Sequence, residues 1–379
     1  MNIYLDDDLR AIQAQTAEYV EREIVPKAGA WEQEGRVPRE VLRHMGEVGF
    51  FGLRVSEEYG GIGMGPLASV VFAEQLGRST FGGFTITVLA HTDLAMPYVA
   101  KFGSDELKQR YLPSMVAGEM IGALAVTEPD AGSDVASIRT TARREGDGYV
   151  LNGTKTFITN GVEGDLVVVA AKTDPEAKGS RSISLFLVEK GTPGFSVGRA
   201  LSKMGWRSSD TAELVFEDCF VPASNLIGEE NRGFYCIMQN FQNERLVLAG
   251  QSLGEAQRAI ELTVDHVRNR RAFGATLWDK QAIRQRLAMH QARVDAARQL
   301  TYHAAWLESQ GEDAVRVVSE VKALVGELVN DVLYDCVQFH GGMGYVAETA
   351  VERLYRDARI QSIGGGATEV MLEEVAKRM

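Results

Sequence analysis

The sequence predicts an α+β protein whose strands are gathered in the middle of the chain, between two helical parts. Three observations carry this. Apolar residues recur at three- and four-residue spacing from residue 5 to about 120. The character changes near residue 121, where short β-rich runs bounded by turn residues begin. Helical spacing returns at residue 231 and persists to the end. Helices, then strands, then helices argue for α+β layers rather than alternating βαβ units. The expected domains are a helical part over 1–121, a β part over 122–230 and a helical part over 231–379. The 379 residues suffice for two or three domains and a large core.

In the first part Leu9, Ile12, Thr16, Tyr19, Val20 and Glu23 hold the helical spacing, and Pro38 and Pro66 stand at helix starts. The Gly-rich piece Tyr59 to Gly65 is a loop; it lacks G-x-G-x-x-G spacing and follows no strand. Ser104-Asp105-Glu106 reads as a helix cap. Gly146-Asp147-Gly148 separates two runs as in a hairpin, and Leu166 to Ala171, Ile183 to Val188 and Leu214 to Phe216 read as strands. Ala259 to Arg268, Gln281 to Leu307 and Val315 to Phe339 are long amphipathic stretches.

Composition excludes several classes. A net charge of -12 argues against nucleic acid or an anionic membrane as the main partner. No run approaches the roughly 20 apolar residues of a membrane span. Cys219, Cys236 and Cys336 form no metal spacing and no disulfide framework, so they read as buried side chains in a reducing compartment. The acidic start, with Asp6, Asp7 and Asp8, resembles neither a signal nor a transit peptide, and a cytoplasmic protein is expected.

Chemistry has several candidate seats. Phe234, Ile237, Met238, Phe241 and Leu248 form a helical stripe that puts Glu244 beside apolar neighbours. A carboxylate so placed is costly to ionise, and its pKa should rise toward neutrality, as suits a general base; an ordinary surface Glu is the plain alternative. Thr127 to Asp134 follows the apolar run Ile121 to Val126 and offers small residues and hydroxyls to a ligand, or is a simple Asp-Gly turn. Lys155 to Gly161 ends a strand with one aromatic and two hydroxyls, or is a sheet edge turning at Asn-Gly. At Arg270 to Gly274 a helix ends, turns and restarts near Gln281, where arginines also suit a helix C-terminus. Gln338 to Tyr345 could cap a phosphate or simply terminate a helix at glycine. Ile363 to Glu369 holds three consecutive glycines that leave backbone N–H groups free to donate.

Taken in order, these stretches resemble the acyl-CoA dehydrogenase family of flavoproteins, from about residue 5 to the C-terminus. Met204 to Thr211 and Val215 to Asp218 are similar to the family's exit from its β domain. The resemblance implies an N-terminal helical domain, a central β-barrel-like domain and a C-terminal four-helix bundle. It implies FAD, held by Leu124, Val126, Thr127, Gly132, Ser133, Phe157, Ile158 and Thr159, by Arg270, Phe273, Gln281, Gln338, Phe339, His340, Gly341 and Gly342 partly across a subunit contact, and by Ala367, Thr368 and Glu369. Ser133, Gln242, Asn243, Arg245, Gly365 and Gly366 are implied to meet the substrate. Most members carry the catalytic glutamate in a C-terminal Tyr-Glu-Gly-Thr motif; here that run is Gly364-Gly365-Gly366-Ala367. Glu244-Arg245 matches the minority arrangement, as in isovaleryl-CoA and long-chain acyl-CoA dehydrogenases. The expectation is α,β-desaturation of an acyl-CoA to the trans-2-enoyl-CoA, with Glu244 as base and Arg245 fixing its geometry. Electrons would leave to an electron-transfer flavoprotein. Gly364, where an aromatic is usual, implies a wider acyl pocket for a medium or long, branched or bulky chain. Ala367 replaces a usual Thr, and Thr368 and Glu369 are expected to compensate. A homotetramer is expected. Competing readings are a flavin-dependent oxidase or monooxygenase on the same fold and a nucleic-acid-binding flavoprotein.

Overall fold

The computed structural model describes residues 3–174, 176, 177 and 179–379. Seven helices come first: α1 (Asp7–Tyr19), α2 (Ala28–Glu34), α3 (Arg39–Glu47), α4 (Pro66–Gly77), α5 (Gly82–Leu89), α6 (Met96–Phe102) and α7 (Asp105–Val116). The Asp6 side chain caps α1 by accepting from the Leu9 N–H at 2.9 Å, and Ser104 caps α7 through the Leu107 N–H. Pro38 caps α3 and Pro66 opens α4, as their fixed φ favours. Every residue of α4 and α5 is buried, which their all-round apolar composition requires.

Eight strands follow: β1 (Gly122–Ala125), β2 (Thr141–Glu145), β3 (Gly148–Thr159), β4 (Leu166–Lys172), β5 (Ile183–Glu189), β6 (Phe195–Ala200), β7 (Thr211–Pro222) and β8 (Leu226–Ile227). They form one sheet in the order β6-β7-β3-β2-β4-β5-β8, with β1 added parallel to β4. The β2–β3 hairpin turns at Gly146-Asp147, pairing Glu145 with Gly148. β6 was not visible in the sequence because it buries no face and so shows no apolar alternation.

The C-terminal part holds α8 (Gly233–Asn269), a small hairpin of β9 (Arg271–Ala272) and β10 (Ala275–Thr276), then α9 (Gln281–Ser309), α10 (Val315–His340), α11 (Ala350–Ala358) and α12 (Thr368–Ala376). α10 packs against α8, α9 and α12, a four-helix arrangement. The expected simple helix stop and restart at Gly274 is instead the β9–β10 hairpin. Phe273 (φ 53°) and Gly274 (φ 78°) both take positive φ there, the geometry of a tight two-residue hairpin turn. α8 runs unbroken for 37 residues. It crosses α4 so closely that a Cβ on Gly254 would stand 2.0 Å from the Glu74 carbonyl oxygen, so only glycine fits.

One apolar core lies among the N-terminal helices and reaches Val126 on one side and Leu248 on the other. A second fills the C-terminal helices and a third the sheet. All three cysteines are free and buried. Among the described residues no helix is long and apolar enough to cross a membrane.

Candidate active site

Glu244 sits at the start of the fourth turn of α8, only 5% exposed. Burial pushes its carboxyl up to about 8, against the lowering effect of two hydrogen bonds. The Asn240 amide, one turn earlier on α8, donates to Oε1 at 3.0 Å. The Tyr98 hydroxyl of α6 donates to the same oxygen at 3.3 Å. Oε2 has no protein partner among the described residues. Asn240 also donates to the Asp93 carbonyl at 3.1 Å. Asn243 bonds Asp93 through its amide and accepts from Arg54 through its oxygen. Asn243, expected to meet substrate, therefore has its amide engaged inside the protein.

The glycine run lies against the next turn of the same helix. A Cβ on Gly365 would come 2.2 Å from Leu248 Cδ1, and one on Gly366 would come 3.5 Å from Arg245 Nε. Gly365 takes φ +64° and is exposed, a backbone shape that glycine adopts without penalty. The Gly364 N–H is used by the Ile360 carbonyl at 2.8 Å, whereas the Gly365 N–H has no acceptor among the described residues. Arg245 forms no ion pair among the described residues, so a salt bridge does not explain it; its Nε is buried without a partner, as is Gln242 Oε1. Its guanidinium stands 5.8 Å from the Phe241 ring. The Thr368 hydroxyl is taken by Glu327 at 2.8 Å.

The loop after β1 and the end of β3 are bound to one another. The Thr156 N–H donates to the Thr127 carbonyl. Buried Lys155 binds the Val126 carbonyl at 3.1 Å and Glu128 at 2.7 Å. Burial alone would raise Glu128, but the Lys155 ammonium and the N–H groups of Arg139 and Thr140 hold it below the usual range. This ion pair braces the loop, leaving Gly132 and Ser133 exposed at its tip. Beside it Phe157 takes φ 58° and is 68% exposed. Ile158 is buried and Thr159 half-buried, and Leu124 and Val126 enter the N-terminal core. Asn160 ties this strand end to the Thr87 carbonyl of α5, and Asp357 of α11 caps the N-terminus of α5 through the Gly82 N–H. So β3, α5 and the segment leading to the glycines are joined.

The remaining expected residues gather elsewhere. Arg270, Phe273 and Gln281 are exposed around the far end of α8, roughly 37 Å along the axis from Glu244 at about 1.5 Å per residue. Phe273 is 95% exposed. His340, at the end of α10, stacks on His266 of α8 at 4.3 Å between ring centroids, so Gln338 to Gly342 belong to this distal group. The expected residues thus fall into two separated groups on one chain.

A planar, polar group such as FAD fits the first group of residues. Phe157 offers an open ring face, and its left-handed backbone is the strained kind of conformation found at ligand sites. Thr127 and Ser133 on the adjoining loop and Thr159 on the same strand end add hydroxyls. The orphaned Gln242 and Arg245 atoms are donors and acceptors awaiting a polar occupant. Sequence reasoning missed Tyr98 and Asn240. Asn240 was within reach as the i−4 neighbour of Glu244. Tyr98 carries no local signal.

Comparison with known proteins agrees along the whole chain. Three family models match: the acyl-CoA dehydrogenase N-terminal domain over residues 6–119, the middle domain over 123–219 and the C-terminal domain over 231–379. The mitochondrial long-chain specific acyl-CoA dehydrogenase of Sus scrofa is 42% identical, covering 95% of this chain and 84% of that protein. A solved acyl-CoA dehydrogenase from Geobacillus kaustophilus superposes with a TM-score of 0.95 at 41% identity, covering 100% of this chain and 99% of that one. A solved chain described under the electron transferring flavoprotein of Acidaminococcus fermentans superposes at 0.96 with 37% identity, covering 100% and 99%.

Proposed function

Because the chain belongs to the acyl-CoA dehydrogenase family of FAD oxidoreductases, we propose that it desaturates an acyl-CoA thioester between the α and β carbons with Glu244 as the base. The observation that carries this is the adjacency of Glu244 to the glycine turn: a buried carboxyl poised near neutrality, one helical turn from Leu248, which touches Gly365. The usual C-terminal carboxylate is missing from that turn, yet a donor remains there.

In this reading the Gly365 N–H points at the thioester oxygen and stabilises the negative charge that forms as the α-proton leaves. Glu244 takes that proton on Oε2, while Asn240 and Tyr98 hold Oε1. When bound, FAD would supply the two-electron acceptor that the loss of the β-hydrogen requires. Thr127, Gly132, Ser133, Phe157, Ile158 and Thr159, backed by Leu124 and Val126, would hold the cofactor from one chain. Arg270, Phe273, Gln281 and Gln338 to Gly342 would hold it from a second copy, which implies at least a dimer and agrees with the tetramer expected of the family. Ala367 and Glu369 would close the cofactor edge near the glycines, and Gly366, Gln242 and Arg245 the substrate side.

The three atoms nearest a Cβ on Gly364 all belong to Ile360, at 3.5 Å and beyond, so a side chain could start there without a clash and glycine leaves that volume unfilled. This supports a medium or long chain, branched or bulky. An electron-transfer flavoprotein is the proposed acceptor, a reading supported by the likeness to the Acidaminococcus chain. Anaerobic titration of flavin absorbance against a panel of acyl-CoAs tests the reaction: bleaching by bulky or long thioesters is expected. A parallel test is Glu244→Gln, expected to retain flavin and lose reduction by about 10²- to 10⁴-fold. An unchanged rate would remove the base assignment. Rapid oxygen consumption without an acceptor protein would favour an oxidase instead.

A further inference from the structure

Lys322 stands in the first third of α10 and is 2% exposed. Its Nζ donates to the Gln361 carbonyl at 2.6 Å and to the Gly366 carbonyl at 3.2 Å, so it grips both sides of the glycine turn. Its Cε lies 3.9 Å from the Cβ position of Gly365. No carboxylate pairs with it among the described residues, and the nearby charge that acts on it most is a second buried cation, Arg245, itself unpaired. Burial and that like charge bring its ammonium down to about 8. Two buried cations with no direct carboxylate partner, offset only through space by Glu327, Glu244 and Glu374, are costly unless something negative comes to meet them.

We propose that Lys322 is a positioning residue for the thioester. By holding the carbonyls that flank the turn it fixes the direction of the Gly365 N–H. Its unpaired charge beneath that turn stabilises the negative charge that gathers on the thioester oxygen as the α-proton departs. The proton itself goes to Glu244, and no bond to Lys322 is made or broken. This rests on the roles given above to Gly365 and Glu244. The groups facing the turn are Lys322 from α10, Arg245 and Glu244 from α8, Glu327 from α10, and Glu374 with Arg378 from α12 and the C-terminal residues.

The test compares Lys322→Met and Lys322→Arg with the parent holoenzyme through two readouts. One is the rate of flavin reduction by acyl-CoA, set against KM. The other is the acidity of the α-proton in a bound acyl-CoA with sulfur at the β position, which can surrender the proton but not the hydride. Lys322→Met should lower the rate by about 10- to 100-fold with KM within about threefold. It should raise the apparent pKa of the bound analogue by about one unit, and Lys322→Arg should recover most of both. A Met variant that leaves the analogue's acidity unchanged overturns the proposal, whatever happens to its melting temperature. Should the Met variant fail to fold, Lys322→Gln, which can still donate without charge, carries the same comparison. Glu244→Gln separates the two claims: a full rate there removes the base, while the analogue's acidity still judges Lys322.

Discussion

The Asn240 amide reaches Glu244 Oε1 at 3.0 Å from one turn earlier on the same helix, and the Tyr98 hydroxyl reaches the same oxygen from α6. Two donors on one oxygen leave the other to act. Both bonds favour the ionised form and partly offset the burial that pushes the carboxyl up to about 8. A base must be ionised to work, so kcat/KM should rise with pH through about 8, and the charge proposed for Lys322, lost near the same pH, should turn the rise into a fall above it. Tyr98→Phe removes one lowering bond. Its profile should move to higher pH by roughly half a unit to one unit, with about a three- to tenfold loss at pH 7. A pH profile unchanged from the parent would mean the hydroxyl does not act on the carboxylate.

Gly365→Ala should be disproportionately harmful. The new methyl meets Leu248 Cδ1 at 2.2 Å and the backbone at φ +64° is strained for any side chain. A loss of about 1–3 kcal/mol in stability is expected, with slower flavin reduction because the N–H must turn. Chemical denaturation and stopped-flow reduction measure the two effects. Wild-type behaviour in both would mean the turn is looser than its contacts suggest.

Phe273→Asp should leave the fold of each subunit intact while lowering both assembly and FAD retention. The side chain is 95% exposed on a hairpin tip and packs on little of its own protomer. Sedimentation and flavin content should fall together; a tetramer of full flavin content would place the cofactor entirely within one chain.

Buried carboxyls also shape stability against pH. Burial raises Glu244 and Glu255 to about 8 and Asp357 to about 7, whereas an unfolded carboxyl titrates near about 4. A raised carboxyl favours the fold fully below its unfolded value, and that gain is lost as pH climbs through the folded value. The melting temperature should therefore fall between pH 5 and pH 8. Lys155, Lys203 and Lys322, brought down to about 8 by burial, act in the opposite sense only above that point. Glu255→Gln should flatten the fall; calorimetry across this range decides.

Much of this was legible in the sequence because periodicity reports burial. The α8 stripe pointed to Glu244, and β4 and β5 showed as continuous apolar runs because they are buried on both faces. β6 was silent because it faces solvent. The β9–β10 hairpin was hidden because Arg271 to Thr276 carries no apolar alternation and Phe273 bends at a positive φ that aromatic residues seldom take. Within the site, residues chained to Glu244 by helix spacing could be inferred. Tyr98 could not, since only tertiary packing brings it there from 146 positions away.

The uninterrupted length of α8, about 55 Å, has a genetic corollary. With the proton acceptor near one end and the distal cofactor contacts at the other, on the reading proposed here each catalytic centre is assembled from opposite ends of two different rods. Two defective alleles, Glu244→Gln and Arg270→Ala, would each be inactive alone. Co-expressed, they would scatter their lesions so that about a quarter of centres receive neither, and activity would reappear in a mixture of two dead proteins.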